Sequence, residues 1–138
     1  MRVLIADDDR FVCELLAEFV ALCGHEVVDT VTKGGLAVIH SFAAHRPDVV
    51  LLDVLMPRCN GLTVCHALLS RKPDTKVVLM SGMVDRDHPF VVGCQASAFL
   101  RKPMRLEDLK EMLDSFMVEP SGLQICPASI TPEAVLAV

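Results

Sequence analysis

Short runs of consecutive apolar residues alternate along this chain with longer stretches in which apolar residues recur every three or four positions. VLIA at 3–6, DVVLLDV at 48–54 and KVVLM at 76–80 have no polar face. Strands of that kind belong inside a parallel sheet, where helices cover both sides. Further strands are predicted at 26–31 and 98–101. Helical spacing predicts helices at 10–23, stopped by Gly24 in the C′ position, at 36–44, closed off by Arg46-Pro47, at 62–70, and at 106–117. Around 87–95 the helical signal is weak, with Pro89 and Gly93 inside it. Strand then helix, five times over, predicts an α/β fold: a doubly wound, five-stranded parallel sheet with right-handed crossovers.

The first helix is apolar over more than one face. At 100° per residue, Arg10, Glu14 and Glu18 share a narrow side, while Phe11, Val12, Cys13, Leu15, Leu16, Phe19, Val20, Leu22 and Cys23 cover an arc of about 200°. That exceeds what packing on one sheet face requires. Either the fifth helix or the tail covers the surplus, or a partner docks there.

Residues 119–138 change character, holding Pro120, Pro127 and Pro132 and no Lys or Arg, so they are expected to be a tail or linker remnant after a domain at 1–118. A chain of 138 residues, 52% apolar, supports one core and argues against disorder along its whole length. The formal net charge of -5, with no block of Lys and Arg, argues against nucleic-acid binding by this chain alone. The six cysteines form no C-x-x-C pair. They are read as reduced thiols of a cytoplasmic protein. Nothing resembles a signal peptide, and no apolar run reaches the roughly 18 residues of a membrane span. His25, His40, His45, His66 and His88 show no metal spacing with the cysteines.

In an open parallel sheet, ligands bind beyond the carboxyl ends of the strands. Strand one ends in Asp7 and Asp8, strand three in Asp53, strand four in Ser81 and strand five in Lys102. Carboxylates gathered on one rim are costly unless a cation neutralises them. Hard oxygen donors in small number suit Mg²⁺, which keeps several waters and takes phosphate oxygens. One carboxylate would then be a nucleophile toward phosphorus, with a lysine and a hydroxyl stabilising the transferring group. Asp9, third in the acidic run, is assigned as N-cap of the first helix.

IADDD after strand one, LLDVLMPRCNG around Asp53, VLMSG at strand four and FLRKPM at strand five together resemble the receiver domain of bacterial two-component response regulators. The D-x-x-M-P-x-x-x-G run, with Asp53, Met56, Pro57 and Gly61, is distinctive by itself, and the resemblance covers about 1–117. It implies a flavodoxin-like, CheY-like sheet of order 2-1-3-4-5, with Asp53 as phosphoacceptor. It implies Mg²⁺ held by Asp7, Asp8, Asp53 and the backbone carbonyl of Leu55. Lys102 would pair with the phosphoryl group, Ser81 would capture one of its oxygens, and Ser81 and Phe99 would form the switch. Phe99 lacks the hydroxyl of the commoner tyrosine. Lys102-Pro103 matches a bond that is often cis in the family. Leu55 and Met83 stand where relatives often carry polar residues that orient the hydrolytic water, which predicts a longer-lived phosphoryl group.

The function implied is phospho-accepting signal transduction, with a sensor histidine kinase or histidine phosphotransfer protein as donor. A second copy of the chain is an alternative partner for the apolar edge of the first helix. The protein would catalyse only its own phosphorylation and dephosphorylation, not turn over a metabolite. The alternative is a phosphorylation-independent binding module on the same fold. A flavin carrier is disfavoured because ADDDR would repel phosphate after strand one. A phosphatase is disfavoured because Val54 and Leu55 supply no further acid or base.

Overall fold

The computed structural model of the chain describes residues 1–56, 59–83 and 88–117, with the backbone alone at Cys59 and Phe90. Its elements are β1 (Arg2–Ala6), α1 (Arg10–Leu22), β2 (Glu26–Val31), α2 (Gly35–His45), β3 (Val49–Asp53), β4 (Leu55–Met56), β5 (Cys59–Asn60), α3 (Gly61–Arg71), β6 (Lys76–Ser81), α4 (Pro89–Val92), β7 (Ala98–Arg101) and α5 (Leu106–Met117). The main sheet is five-stranded and parallel, in the order β2-β1-β3-β6-β7, which is 2-1-3-4-5 when its strands alone are counted. β4 and β5 form a separate antiparallel pair between β3 and α3. Pro57, Asp87, Cys126 and the expected tail at 119–138 lie outside the described residues, as does the side chain of Cys59.

The two faces of the sheet divide the core by simple alternation. Val3, Ile5, Val49, Leu51, Val78, Met80, Ala98 and Leu100 point to one side, where Cys13, Leu16 and Val20 of α1 meet Leu109, Met112 and Leu113 of α5. Leu4, Ala6, Val50, Leu52, Val77, Leu79 and Phe99 point to the other, against Val38 and Phe42 of α2, Val64, Cys65 and Leu68 of α3, and Val91 of α4. Successive side chains of a strand leave on opposite faces, so a strand covered on both sides must be apolar throughout. That is why β1, β3 and β6 read as unbroken apolar runs.

The helix ends follow local chemistry. The Asp9 side chain accepts from the N–H groups of Phe11, at 2.9 Å, and Val12, at 3.4 Å, which caps α1. Gly24, at φ +90°, turns the chain out of that helix in a conformation that an L side chain rarely adopts. Asn60 caps α3 by accepting from Leu62 N at 2.8 Å. The weak helix expected at 87–95 is in fact the four-residue α4: Pro89 takes its first position, where no N–H is needed, and Gly93 follows its end. The apolar surplus of α1 is not covered by α5. Phe11 and Leu22 are 78% and 80% exposed, and with half-exposed Leu15 they form a stripe along one side of the helix.

Candidate functional site

β1, β3, β6 and β7 are parallel and in register, so their carboxyl ends deliver side chains to one rim. Asp7 follows β1 directly, Asp53 ends β3, Ser81 ends β6 and Lys102 follows β7. Asp7, Asp8 and Asp53 each offer a carboxylate oxygen, and these atoms lie within 4.8 Å of one another. Asp7 is fully buried, Asp53 nearly so, and Asp8 faces solvent. Lys102 reaches across from the far side of the rim. Its ammonium hydrogen-bonds Asp7 Oδ2 and stands 3.5 Å from Asp53 Oδ2. The Lys102-Pro103 peptide bond is cis, as the resemblance implied.

Backbone groups hold these carboxylates in place. Asp7 Oδ1 accepts from Asp9 N at 2.9 Å, so the residue that caps α1 also orients the first acid. Asp53 Oδ1 accepts from Leu55 N at 3.3 Å. The β4–β5 pair folds the segment after Asp53 back on itself, and Gly61 N donates to Val54 O at 2.8 Å. Ser81 is buried; its hydroxyl accepts from Met83 N at 3.0 Å, and its carbonyl accepts from Lys102 N at 2.8 Å. Phe99 is buried in the cluster shared by α2, α3 and α4. Leu55 and Met83 stand on either side of the rim, 50% and 78% exposed.

The electrostatics match the geometry. Burial, and then the charge of Asp7, push the Asp53 carboxyl up to about 6, against the pull of Lys102. Burial works against the Lys102 ammonium, but its hydrogen bond to Asp7 and the charges of Asp53 and Asp7 outweigh that and hold its pKa above the usual lysine value. The site is a trio of acids with one cation, short of positive charge. Asp53→Asn is therefore expected to raise the melting midpoint in EDTA at pH 7 and to flatten its pH dependence between about 4 and 6. Folded Asp53 holds its proton up to about pH 6, whereas the unfolded carboxyl releases it near 3.8. In that window the folded state binds more protons, so the stability from the protonated form is complete below pH 4 and lost as pH rises to 6. Thermal melts of both proteins from pH 4 to 8 check this; a lower midpoint for the variant at pH 7 would contradict it.

Every residue the sequence placed on the rim is brought to it, and Phe99 lies in the core behind. Two contacts had no sequence signal. Lys102 pairs with Asp7, a partner distant in sequence, and the Cys13 thiol donates to the Asp7 carbonyl at 3.3 Å. Burial and the Asp7 charge push that thiol up to about 11, so it is a structural group rather than a nucleophile.

Comparison with known proteins agrees with this arrangement. Residues 3–114 match the family described as response regulator receiver domain. Response regulator MprA of Mycobacterium avium (strain 104) is 37% identical over 111 residues, covering 79% of this chain and 47% of the relative. The chain therefore spans about half the length of the curated relatives it matches. Among solved structures, the CheX-CheY-BeF3-Mg+2 complex from Borrelia burgdorferi is similar with a TM-score of 0.78 at 23% identity, covering 86% of this chain and 90% of that one. A CheY-like receiver domain protein from Methanospirillum hungatei JF-1 is similar with a TM-score of 0.77 at 21% identity, covering 83% and 91%. At those identities the solved structures speak for the fold.

Proposed function

The chain belongs to the response regulator receiver domain family, and on that premise we propose that Asp53 accepts a phosphoryl group from a histidine kinase or histidine phosphotransfer protein. One observation carries this reading: the buried Asp53 carboxylate is held 3.5 Å from the Lys102 ammonium and within 4.8 Å of two further carboxylates. A nucleophilic carboxylate needs a cationic surround for the group it receives. The Asp53 oxygen forms a bond to phosphorus, the bond from phosphorus to the donor nitrogen breaks, and the electron pair leaves with the donor imidazole. Lys102 stabilises the charge on the transferring oxygens, and the Ser81 hydroxyl holds one of them.

The donor set fits a hard divalent cation. Asp7, Asp8 and Asp53, with the Leu55 carbonyl, would hold Mg²⁺, since oxygen donors and a local excess of negative charge suit it. When bound, Mg²⁺ supplies neutralisation of the phosphoryl oxygens and of the acidic trio. The resulting phosphorylated state is read out through Ser81 and Phe99, which join the rim to the packed face beneath α4. The exposed stripe of Phe11, Leu15 and Leu22 begins close to the acidic turn and offers a surface for a helical donor. Chemistry is confined to the protein's own modification. No described helix is long and apolar enough to cross a membrane, and reduced thiols suit a cytoplasmic setting. The binding-module alternative gains no support from the site, where no acidic residue, lysine or hydroxyl is missing.

The test is intact-mass analysis after acetyl phosphate treatment, with Mg²⁺ or EDTA, on the wild type and Asp53→Ala. One Mg²⁺-dependent phosphoryl adduct, absent from the variant, is expected. A folded wild type that takes up no phosphate would overturn the reading in favour of the binding module. The apolar, exposed side chains of Leu55 and Met83 cannot orient water. Leu55→Asn and Met83→Glu are therefore each expected to speed loss of the adduct severalfold, followed by mass against time; unchanged decay in both would show that the water is positioned elsewhere.

A further inference from the structure

α1 carries more apolar surface than its core contacts use. Phe11, Leu15 and Leu22, 78%, 53% and 80% exposed among the described residues, fall within an arc of about 40° at 100° per residue. They form a stripe about 17 Å long at the helical rise of about 1.5 Å per residue. Glu14 and Glu18 border it on one side, and half-buried Val12, Phe19 and Cys23 on the other. Val12 and Phe19 pack on the core cluster that α1 shares with α5, as does Phe116 in the last turn of α5. The apolar surface of the stripe therefore continues, through Phe19, towards the core beside α5.

The chain itself supplies matching side chains. α1 and α5 each follow a strand that ends at the acidic rim, they cover one face of the sheet, and α5 ends in half-exposed Met117. About 20 residues follow it. They include Leu123, Ile125, Ile130, Val135 and Leu136, and Glu119 and Glu133 are their only charged side chains. A segment suited to remain in water is poor in such apolar residues and rich in charge. At roughly 3.3 Å per extended residue the segment reaches up to about 65 Å, several times the length of the stripe.

We propose that residues 118–138 dock on this stripe, their apolar side chains covering Phe11, Leu15 and Leu22. The docking does not depend on phosphorylation of Asp53. Two arguments favour this occupant over a second copy of the chain. A segment tethered to the end of α5 closes a short loop, and its effective concentration is on the order of millimolar. A second copy must offset its lost translational freedom, and three side chains in a line bury far less than the roughly 1,200 Å² of a stable interface. The tail has no cation for Glu14 or Glu18, so the contact is apolar and insensitive to salt. The consequence for a phosphodonor rests on the reading above: the tail occupies the surface offered to a helical donor, which must displace it.

The experiment is hydroxyl-radical footprinting of the full chain, read by mass spectrometry at the stripe and along the tail. Phe11, Leu15 and Leu22 are expected to be oxidised severalfold more slowly in the wild type than in the full-length double variant Ile125→Asp/Leu136→Asp. In return, Leu22→Asp should raise oxidation of Leu123, Ile125 and Leu136 severalfold. Leu36→Asp, at an exposed position of α2, should leave both segments as they are. Protection should persist on dilution and in high salt. Equal oxidation of the stripe in the wild type and the tail variant would overturn the proposal. Wild-type tail side chains oxidised as fast as in urea would overturn it too, whether or not a variant folds. Protection that fades in high salt would rule out an apolar contact, and protection that fades on dilution, with a dimer in sedimentation, would assign the stripe to a second copy. The footprint needs no phosphoryl transfer, so its failure leaves the role of Asp53 untouched.

Discussion

Lys102→Met is expected to lower the unfolding free energy of the metal-free protein by about 3–5 kcal/mol at pH 8, the loss typical of removing one partner from a buried ion pair. Asp7 is fully buried and takes the Lys102 ammonium as its hydrogen-bonded counter-ion. Asp53, 5% exposed, has the same ammonium 3.5 Å away. Methionine keeps most of the stem's packing and removes only the charge, leaving two buried carboxylates facing each other beside Asp8. The loss should shrink at pH 5, because Asp53, already pushed up to about 6, would rise further in the variant and take up a proton. A carboxyl raised in the folded state contributes stability at low pH that disappears as pH increases. Urea unfolding in EDTA at both pH values, followed by circular dichroism because the chain has no Trp or Tyr, measures this directly. An equal loss at pH 5 and pH 8 would assign the effect to packing of the lysine stem and not to its charge.

The second large effect belongs to a residue without a side chain. A Cβ on Gly61 would sit 2.5 Å from the Asp53 carbonyl oxygen and 2.6 Å from Val54 Cα. Both neighbours are backbone, so no rotamer change relieves the clash, and the backbone at Asp53 and Val54 must move. Gly61→Ala is expected to cost about 3 kcal/mol, at the upper end of ordinary overpacking. It should also reduce phosphoryl incorporation from acetyl phosphate at least tenfold at temperatures where the variant is still folded. Gly82→Ala is the matched control: its nearest contacts, at 3.6 and 3.7 Å from Lys102 atoms, are ordinary van der Waals separations, and its stability should change by less than about 1 kcal/mol. If the two variants behaved alike, the close approach of Gly61 to the Asp53 and Val54 backbone would be shown to cost little.

These cases show where sequence reading succeeds and where it stops. The strands at 26–31 and 98–101 and the helix at 106–117 coincide with β2, β7 and α5, and the other strands and long helices differ by a residue or two at their ends. Periodicity carries that much because burial on one or two faces is imposed residue by residue along each element. The N-cap role of Asp9 was legible for the same reason: it is a local bond to the next turn. α4 was less legible. Its helical signal runs on past both Pro89 and Gly93, and only the packing around Val91 and Cys94 shows that a single turn survives.

By itself, then, the sequence determined the alternating α/β order, the two-sided burial of the central strands and the set of polar residues that ends each strand. Parallel strands in one register must present those ends together, which is why the rim of Asp7, Asp8, Asp53, Ser81 and Lys102 could be read without coordinates. Tertiary structure alone decided which groups touch: Lys102 against Asp7, Gly61 against the Asp53 backbone, the Cys13 thiol against the Asp7 carbonyl, and the stripe of Phe11, Leu15 and Leu22 left exposed among the described residues. The division has one physical cause. Periodicity records how often a residue is buried, which is a property of its own element, whereas a contact between elements depends on distances between chain segments that no local pattern encodes.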